Sequence, residues 1–275
     1  MRHGAATPIA TGPHHVDRVP VVLLHAFPLH SAMWDAQRHS LTRMGHPVIA
    51  PDQRGFGAAA LGESPPSLTA VADDLSRTLD TNGIRRAVLV GCSMGGYVAM
   101  EFLRRHPGRV LGLAFLAGRA EADTREMTAA RESFARRVLQ DGHRGDLLAD
   151  TVPLLVGPTT LRRRAPVVER LTADVMAAPA ASMAWAQRAM AARPCSLDVL
   201  RRAEVPAVVI VGDEDRLVRQ DESQRLAAAL PQGRLVLLRG AGHLTPMEAP
   251  DHVTTALLGL VREVGEAGDL TRERY

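Results

Sequence analysis

Six short apolar runs punctuate the 275-residue chain: VPVVLLHA (19–26), HPVIAP (46–51), RAVLVG (86–91), VLGLAFLAG (110–118), PAVVIVG (206–212) and RLVLL (234–238). Continuous runs rich in Val and Leu read as strands buried on both faces. Between them, polar and apolar positions recur at helical spacing. The pattern predicts helices over 33–44, over 67–84 with Ser67 as N-cap and Gly83 as the stop, and over GYVAMEFLRRHPGR, which ends at Pro107. RQDESQRLAAALPQG and DHVTTALLGLVREV supply helices after the last two strands. Alternation of this kind means an α/β fold with a mostly parallel sheet and helices on both faces.

One segment breaks the alternation. Residues 119–204 hold no strand signal and read as amphipathic helices: REMTAARESFARRVLQ, GDLLADTVPLLVG, TLRRRAPVVERLTADVMAA and ASMAWAQRAMAAR. That is too long for an ordinary connection. It is expected to be a helical cap over the carboxyl ends of the strands, where open α/β sheets bind ligands. The chain then divides into a core (1–118), the inserted cap (119–204) and the rest of the core (205–275). Residues 1–18 show no period and read as a flexible tail with at most one short edge strand. The His14-His15 pair there has no partner cluster to complete a metal site. The closing GEAGDLTRERY is polar and is expected to fray.

Composition adds limits rather than a function. Hydrophobic residues make up 46% and aromatic ones 3%, so the core must be aliphatic. The net charge is only +3, and every basic residue is Arg, so the high isoelectric point reflects the guanidinium pKa. No basic helix with interleaved aromatics appears, so no nucleic-acid partner is expected. Cys92 and Cys195 have no metal-ligand spacing and form no disulfide framework; both are expected as free, buried thiols in a reducing compartment. The first residues lack a secretory apolar region, and no apolar run approaches the roughly 20 residues of a membrane span. The expectation is a cytoplasmic protein with no membrane partner.

The chemistry centres on VLVGCSMGGYVAM (88–100), which contains Gly91-Cys92-Ser93-Met94-Gly95. A G-x-S-x-G match arises by chance in roughly one chain in ten of this length. Context raises its value: Ser93 stands between a buried strand and a helix, the setting of a nucleophile on a sharp turn. Gly91, Gly95 and Gly96 are expected to make room for that turn. The helix beginning near Met94 directs N–H groups and a positive dipole end at a developing oxyanion. A serine hydroxyl also needs a base. His243, in LLRGAGHLTPMEAP after the last strand, supplies one. GDEDRLV offers Asp213, Glu214 and Asp215 as the orienting acid. Asp215, three residues beyond Gly212, is preferred for reach; Asp213 is the fallback and Glu214 the weakest. The Phe27 N–H, in LLHAFPLH after the first strand, pairs with that of Met94 as the oxyanion donors, with Pro28 stiffening the loop.

With HAFP, PDQRGFG, GCSMGG, GDEDRLV and GAGHLTPMEAP in this order, the chain resembles the α/β-hydrolase superfamily over about residues 19–265. The resemblance is to its capped esterase, lactonase and thioesterase branch. It implies an α/β-hydrolase fold with an inserted helical cap and a Ser93–Asp215–His243 triad. His25-Ala26 stands where the family usually shows His-Gly. Only 18 residues precede the first strand, so the family's usual leading strand pair is expected to be missing.

Other residues carry lesser expectations. His25, Asp52 and Arg54 read as loop braces, Cys92 as buried and pointing away from Ser93, and Glu248 as a cap for the following helix. His30, Met176, Met183, Trp185 and Met190 are candidates to line the substrate pocket. Arg162 to Arg164 read as a solvated face, or else as a contact for an acidic substrate group or carrier protein. The resulting expectation is a serine hydrolase acting on an ester, thioester or lactone, with no metal or organic cofactor. Its partner is a small acyl substrate, free or borne by a carrier protein. The alternatives are an acyltransferase, cyclase or cofactor-free perhydrolase on the same triad, and a non-catalytic ligand-binding protein on the same fold. Epoxide hydrolase and dehalogenase chemistry would need Asp at position 93.

Overall fold

The computed structural model describes residues 18–140, 142 and 144–272. The expected edge strand and the His14-His15 pair lie outside the described residues. All six apolar runs form strands: β1 (Val21–Leu24), β2 (Val48–Ile49), β3 (Ala87–Cys92), β4 (Val110–Leu116), β5 (Ala207–Gly212) and β6 (Gly233–Leu238). They make one sheet in the order β2-β1-β3-β4-β5-β6, and every neighbouring pair is parallel. β1, β3 and β5 are buried along their whole length, as their uninterrupted apolar sequence requires. β2 and β6 are the edges and are mostly half-buried.

Helices fill the connections. Those before the inserted segment are α1 (Asp35–Arg43), α2 (Leu68–Thr81) and α3 (Met94–Arg105). Ser67 caps α2 by accepting the Thr69 N–H at 3.2 Å. The chain leaves that helix through Asn82 and Gly83, whose φ of +66° favours glycine. The segment 119–204 is helical where it is ordered into elements: α4 (Arg125–Arg137), α5 (Arg144–Leu155), α6 (Pro158–Arg163), α7 (Ala165–Ala177), α8 (Ala180–Ala191) and α9 (Leu197–Arg201). The single helix expected over 160–178 is two. Arg164 leaves helical geometry (φ −130°, ψ 56°), and Pro166 restarts the helix in the first turn of α7, where its missing N–H costs nothing. α10 (Gln220–Ala229), α11 (Thr245–Glu248) and α12 (Pro250–Arg272) complete the chain. The polar end expected to fray is helical as far as Arg272, within α12, and its last three residues lie outside the described ones.

α12 packs on β4 and β5 and, with α1 against it, covers one face of the sheet. α3 lies on β1, β3 and β4 on the other face, with α2 outside it, and α10 covers β5 and β6. The core between them is aliphatic and continuous. From β1 the sheet grows one way to β2 and the other way from β3 to β6. The carboxyl ends of the adjacent strands β1 and β3 therefore flank the switch point at which such sheets bind ligands. No helix among the described residues is long and apolar enough to cross a membrane.

Candidate active site

Ser93 follows the last residue of β3. Its N–H still donates to the Leu116 carbonyl of β4 at 2.8 Å, so the sheet holds the serine by its backbone. The chain then turns into α3 with Ser93 at φ +52°, ψ −112°. Among the described non-glycine residues only Ser93 and Ala117 have positive φ, a strain of order 1–3 kcal/mol that the surrounding packing must impose. Ser93 is the N-cap of α3, yet its hydroxyl makes no capping bond and stays free for chemistry. Two glycines make the turn possible. A Cβ on Gly91 would stand 2.4 Å from the Gly95 backbone, and one on Gly95 would stand 2.1 Å from the Leu24 carbonyl oxygen. Gly96 differs from expectation: a Cβ there would find nothing nearer than 3.5 Å.

His243 and Asp215 come from the loops after β6 and β5. The two strands pair up to Gly212 and Leu238, so the loops leave the sheet side by side. His243 is buried, and its Nδ1 lies 3.1 and 3.0 Å from Asp215 Oδ1 and Oδ2. Asp215 Oδ1 also accepts the N–H groups of Leu217 (2.8 Å) and Val218 (3.0 Å). Burial acts to raise the Asp215 pKa, but His243 and these two N–H donors outweigh it and hold the carboxyl below its ordinary value. An ionised Asp215 fixes the proton of His243 on Nδ1 and leaves Nε2 as the basic nitrogen. The other two acids are spent elsewhere. Asp213 accepts the Gly240 N–H at 2.7 Å, and Glu214 binds the Thr159 N–H (2.7 Å) and hydroxyl (2.6 Å). Glu248 reaches back to the N-cap of α11, the helix after His243: its buried carboxylate accepts the Leu244 N–H (3.1 Å) and also that of Gly157 (2.8 Å).

The loop after β1 carries Phe27. Neither its N–H nor that of Met94 donates to a described residue, so both remain unspent near the switch point. His25 braces this loop from a fully buried position. Its Nδ1–H donates to the Ala26 carbonyl at 3.0 Å, and its Nε2 accepts the Gln53 N–H at 2.8 Å. That pairing requires a neutral ring, and burial lowers its pKa to about 4. Ala26 fits because its φ is not positive; its N–H donates to Met33 Sδ at 3.2 Å. Asp52 accepts the Ser31 and Ala58 N–H groups, and Arg54 pairs with Asp74 at 2.9 Å, so both brace the neighbouring loop. Cys92 is buried behind the serine, with Sγ 3.9 Å from the His243 carbonyl oxygen. Cys195, expected buried, is exposed.

Ser93 and His243 open onto one cavity of about 330 Å³. Its walls include Phe27, Tyr97, Leu217 and Val218 from the core. From the helical segment come Arg119, Arg131, Phe134, Leu154, Gln187 and Met190. Of the side chains expected to line it, only Met190 does. His30 instead lies 3.4 Å from Asp174, Met176 is exposed, Met183 is buried in the helical core, and Trp185 donates its Nε1–H to the Ser64 carbonyl at 2.8 Å. Arg119, in the loop between β4 and α4, and Arg131, on α4, escaped the sequence reading because charged side chains ordinarily face solvent. The available signal was the pairing of Arg131 with Phe134 and of Gln187 with Met190 at three-residue spacing, each pair sharing a helix face.

The model of the α/β hydrolase fold family matches residues 19–250. The chain belongs to this family. The α/β hydrolase shares 37% identity with a thermophilic esterase from Thermogutta terrifontis, solved with malate bound, over 90% of each chain at a TM-score of 0.86. It is 27% identical to a putative carbamate hydrolase, RutD, of Azorhizobium caulinodans, over 92% of this chain and 94% of that one. With the enol-lactonase of Burkholderia xenovorans LB400 it shares 24% identity over 91% of this chain and 94% of that one, at a TM-score of 0.81. At that identity the likeness is one of fold.

Proposed function

We propose that this hydrolase cleaves a carboxylic ester, thioester or lactone through an acyl-enzyme on Ser93. The observation that carries the reading is the strained Ser93. Its unspent hydroxyl faces the same cavity as a His243 ring whose other nitrogen is held by Asp215. His243 Nε2 takes the Ser93 proton as Oγ attacks the carbonyl carbon. The N–H groups of Phe27 and Met94 receive the oxyanion, each worth about 3 kcal/mol of transition-state stabilisation. The imidazolium, stabilised by Asp215, returns its proton to the leaving group. Water, deprotonated by His243, then releases the acid and restores Ser93. Residues 119–204 act as the cap that encloses the acyl group, since α4, α5 and α8 each contribute cavity walls.

Ser93→Ala tests the mechanism. It is expected to lower turnover of 4-nitrophenyl butyrate by at least about 10⁴-fold and to abolish labelling by a fluorophosphonate. Full turnover by Ser93→Ala would overturn the reading. Product analysis with water, alcohol and peroxide in competition separates hydrolysis from transfer to another acceptor.

A further inference from the structure

The cavity at Ser93 is mostly apolar, yet two arginines stand in its wall. Arg119 is buried, at 7% exposure. Its Nη2 donates to the Leu217 carbonyl, and the hydrogen bond of its Nη1 is to the thioether of Met127 at 3.2 Å. The Glu222 carboxylate is 3.5 Å away from Nη1. Its Nε is buried and has no hydrogen-bond partner among the described residues. A guanidinium carries five N–H donors, and leaving a buried charged donor unfilled is costly. Arg131, on α4, gives its Nε to Asp123 (2.6 Å) and its Nη1 to Gln187 (2.9 Å). Its Nη2 forms no hydrogen bond with a described residue. Asp123 is shared with Arg193, 2.7 Å away. Arg119, Arg131 and Arg193 thus share two carboxylates, Glu222 and Asp123, as their direct ion-pair partners.

We infer that the substrate carries a carboxylate group remote from the scissile carbonyl, and that Arg119 and Arg131 bind it. This rests on the hydrolase reading above. An anion in the cavity supplies an acceptor for the open Arg131 Nη2 and meets the edge of the Arg119 guanidinium that lines the wall. The few open donors in an otherwise apolar wall suit a planar carboxylate, which pairs with guanidinium edges. A phosphate dianion presents more acceptors than this wall can fill. Bracing of the Asp215 loop through Leu217 uses one Arg119 nitrogen and does not account for the open Nη2 of Arg131 in the same wall.

The test compares mono-4-nitrophenyl adipate with 4-nitrophenyl hexanoate, esters that differ in a terminal carboxylate against a methyl. The wild-type protein is expected to favour the adipate ester in kcat/KM by roughly 10- to 100-fold, the worth of hydrogen bonds to a charged group, chiefly through a lower KM. Arg119→Met is expected to collapse that ratio, and Arg119→Lys to restore part of it. Arg131→Met serves as the second variant should Arg119→Met fail to fold. Adipate binding to Ser93→Ala, measured by calorimetry, needs no catalysis and is expected to be lost in the Ser93→Ala, Arg119→Met double variant. A wild-type preference for the hexanoate ester would overturn the inference, as would an equal fall on both esters in the variants. Tighter binding of inorganic phosphate than of adipate would overturn the carboxylate assignment. Failure of fluorophosphonate labelling overturns the hydrolase reading instead, whatever adipate does.

Discussion

Gly95 and Gly96 sit side by side in sequence but meet different surroundings. A methyl on Gly95 would be driven to 2.1 Å from a backbone oxygen of β1, an atom that cannot rotate away. Gly95→Ala is therefore expected to cost at least about 3 kcal/mol of stability or to distort the Ser93 turn. Gly96→Ala, with 3.5 Å of clearance inside a helix, is expected to stabilise by about 0.5–1 kcal/mol. Urea denaturation of the two variants checks both signs, and a similar loss in each would show that space around the turn is not what selects glycine. His25 makes a second prediction at this scale. Its pKa in the folded protein is about 4, below the ordinary value of 6.5. As pH falls below 6.5, the unfolded chain takes up a proton that the folded ring refuses. The stability associated with neutral His25 is thus fully present above pH 6.5 and drains away down to about pH 4. The gap corresponds to about 3 kcal/mol. An NMR titration of the His25 ring is expected to show a midpoint near 4; a midpoint near 6.5 would refute the buried neutral ring. His46, also lowered by burial, adds to the same trend.

At the scale of elements, the helical segment is fastened to the core beside the loops of Asp215 and His243 rather than hung from its ends alone. Glu214, next to Asp215, holds the N-terminus of α6 through Thr159. Glu248, on α11, holds Gly157 and the backbone just after His243 at once. Hydrogen bonds to a charged group contribute about 1.5–3 kcal/mol each. Glu248→Ala is accordingly expected to destabilise the protein by about 3 kcal/mol and to raise hydrogen exchange at the Gly157 and Leu244 amides. Unchanged exchange at both amides would show that the carboxylate does not tie the two segments together. α3 shows the other role of an element here. Its first N–H group has no acceptor among the described residues where Ser93 stands, so the helix end can serve an anion instead of its own cap.

For the whole molecule, the parallel sheet decides where chemistry is possible. Ser93, Asp215 and His243 follow β3, β5 and β6, and Phe27 follows β1, so all four lie beyond carboxyl ends on one side of the sheet. Charge at this scale is distributed rather than concentrated. The net +3 spreads over an all-Arg basic set, part of which is engaged in surface ion pairs of little individual worth. The arginines near Ser93 matter because they are enclosed, where screening is weak.

The sequence by itself determined the strands, the α/β class, the turn at Ser93 and the chain order of Ser93, Asp215 and His243. Those are local matters. A strand buried on both faces must be apolar throughout, and a strained turn needs small neighbours within a few residues. The choice of Asp215 over Asp213 and Glu214 also followed from reach along one short loop. What lines the cavity was decided only by tertiary structure. Helical periodicity marks which face of a helix is buried, yet it does not say whether that face meets another helix or the serine. Met183 went to the helical core and Met190 to the cavity from the same apolar stripe of α8. Arg119 and Arg131 reached the cavity because buried partners brought in from distant positions hold their charges there. Glu248 found its partners across the fold, at Gly157, where no neighbour in sequence could have announced it.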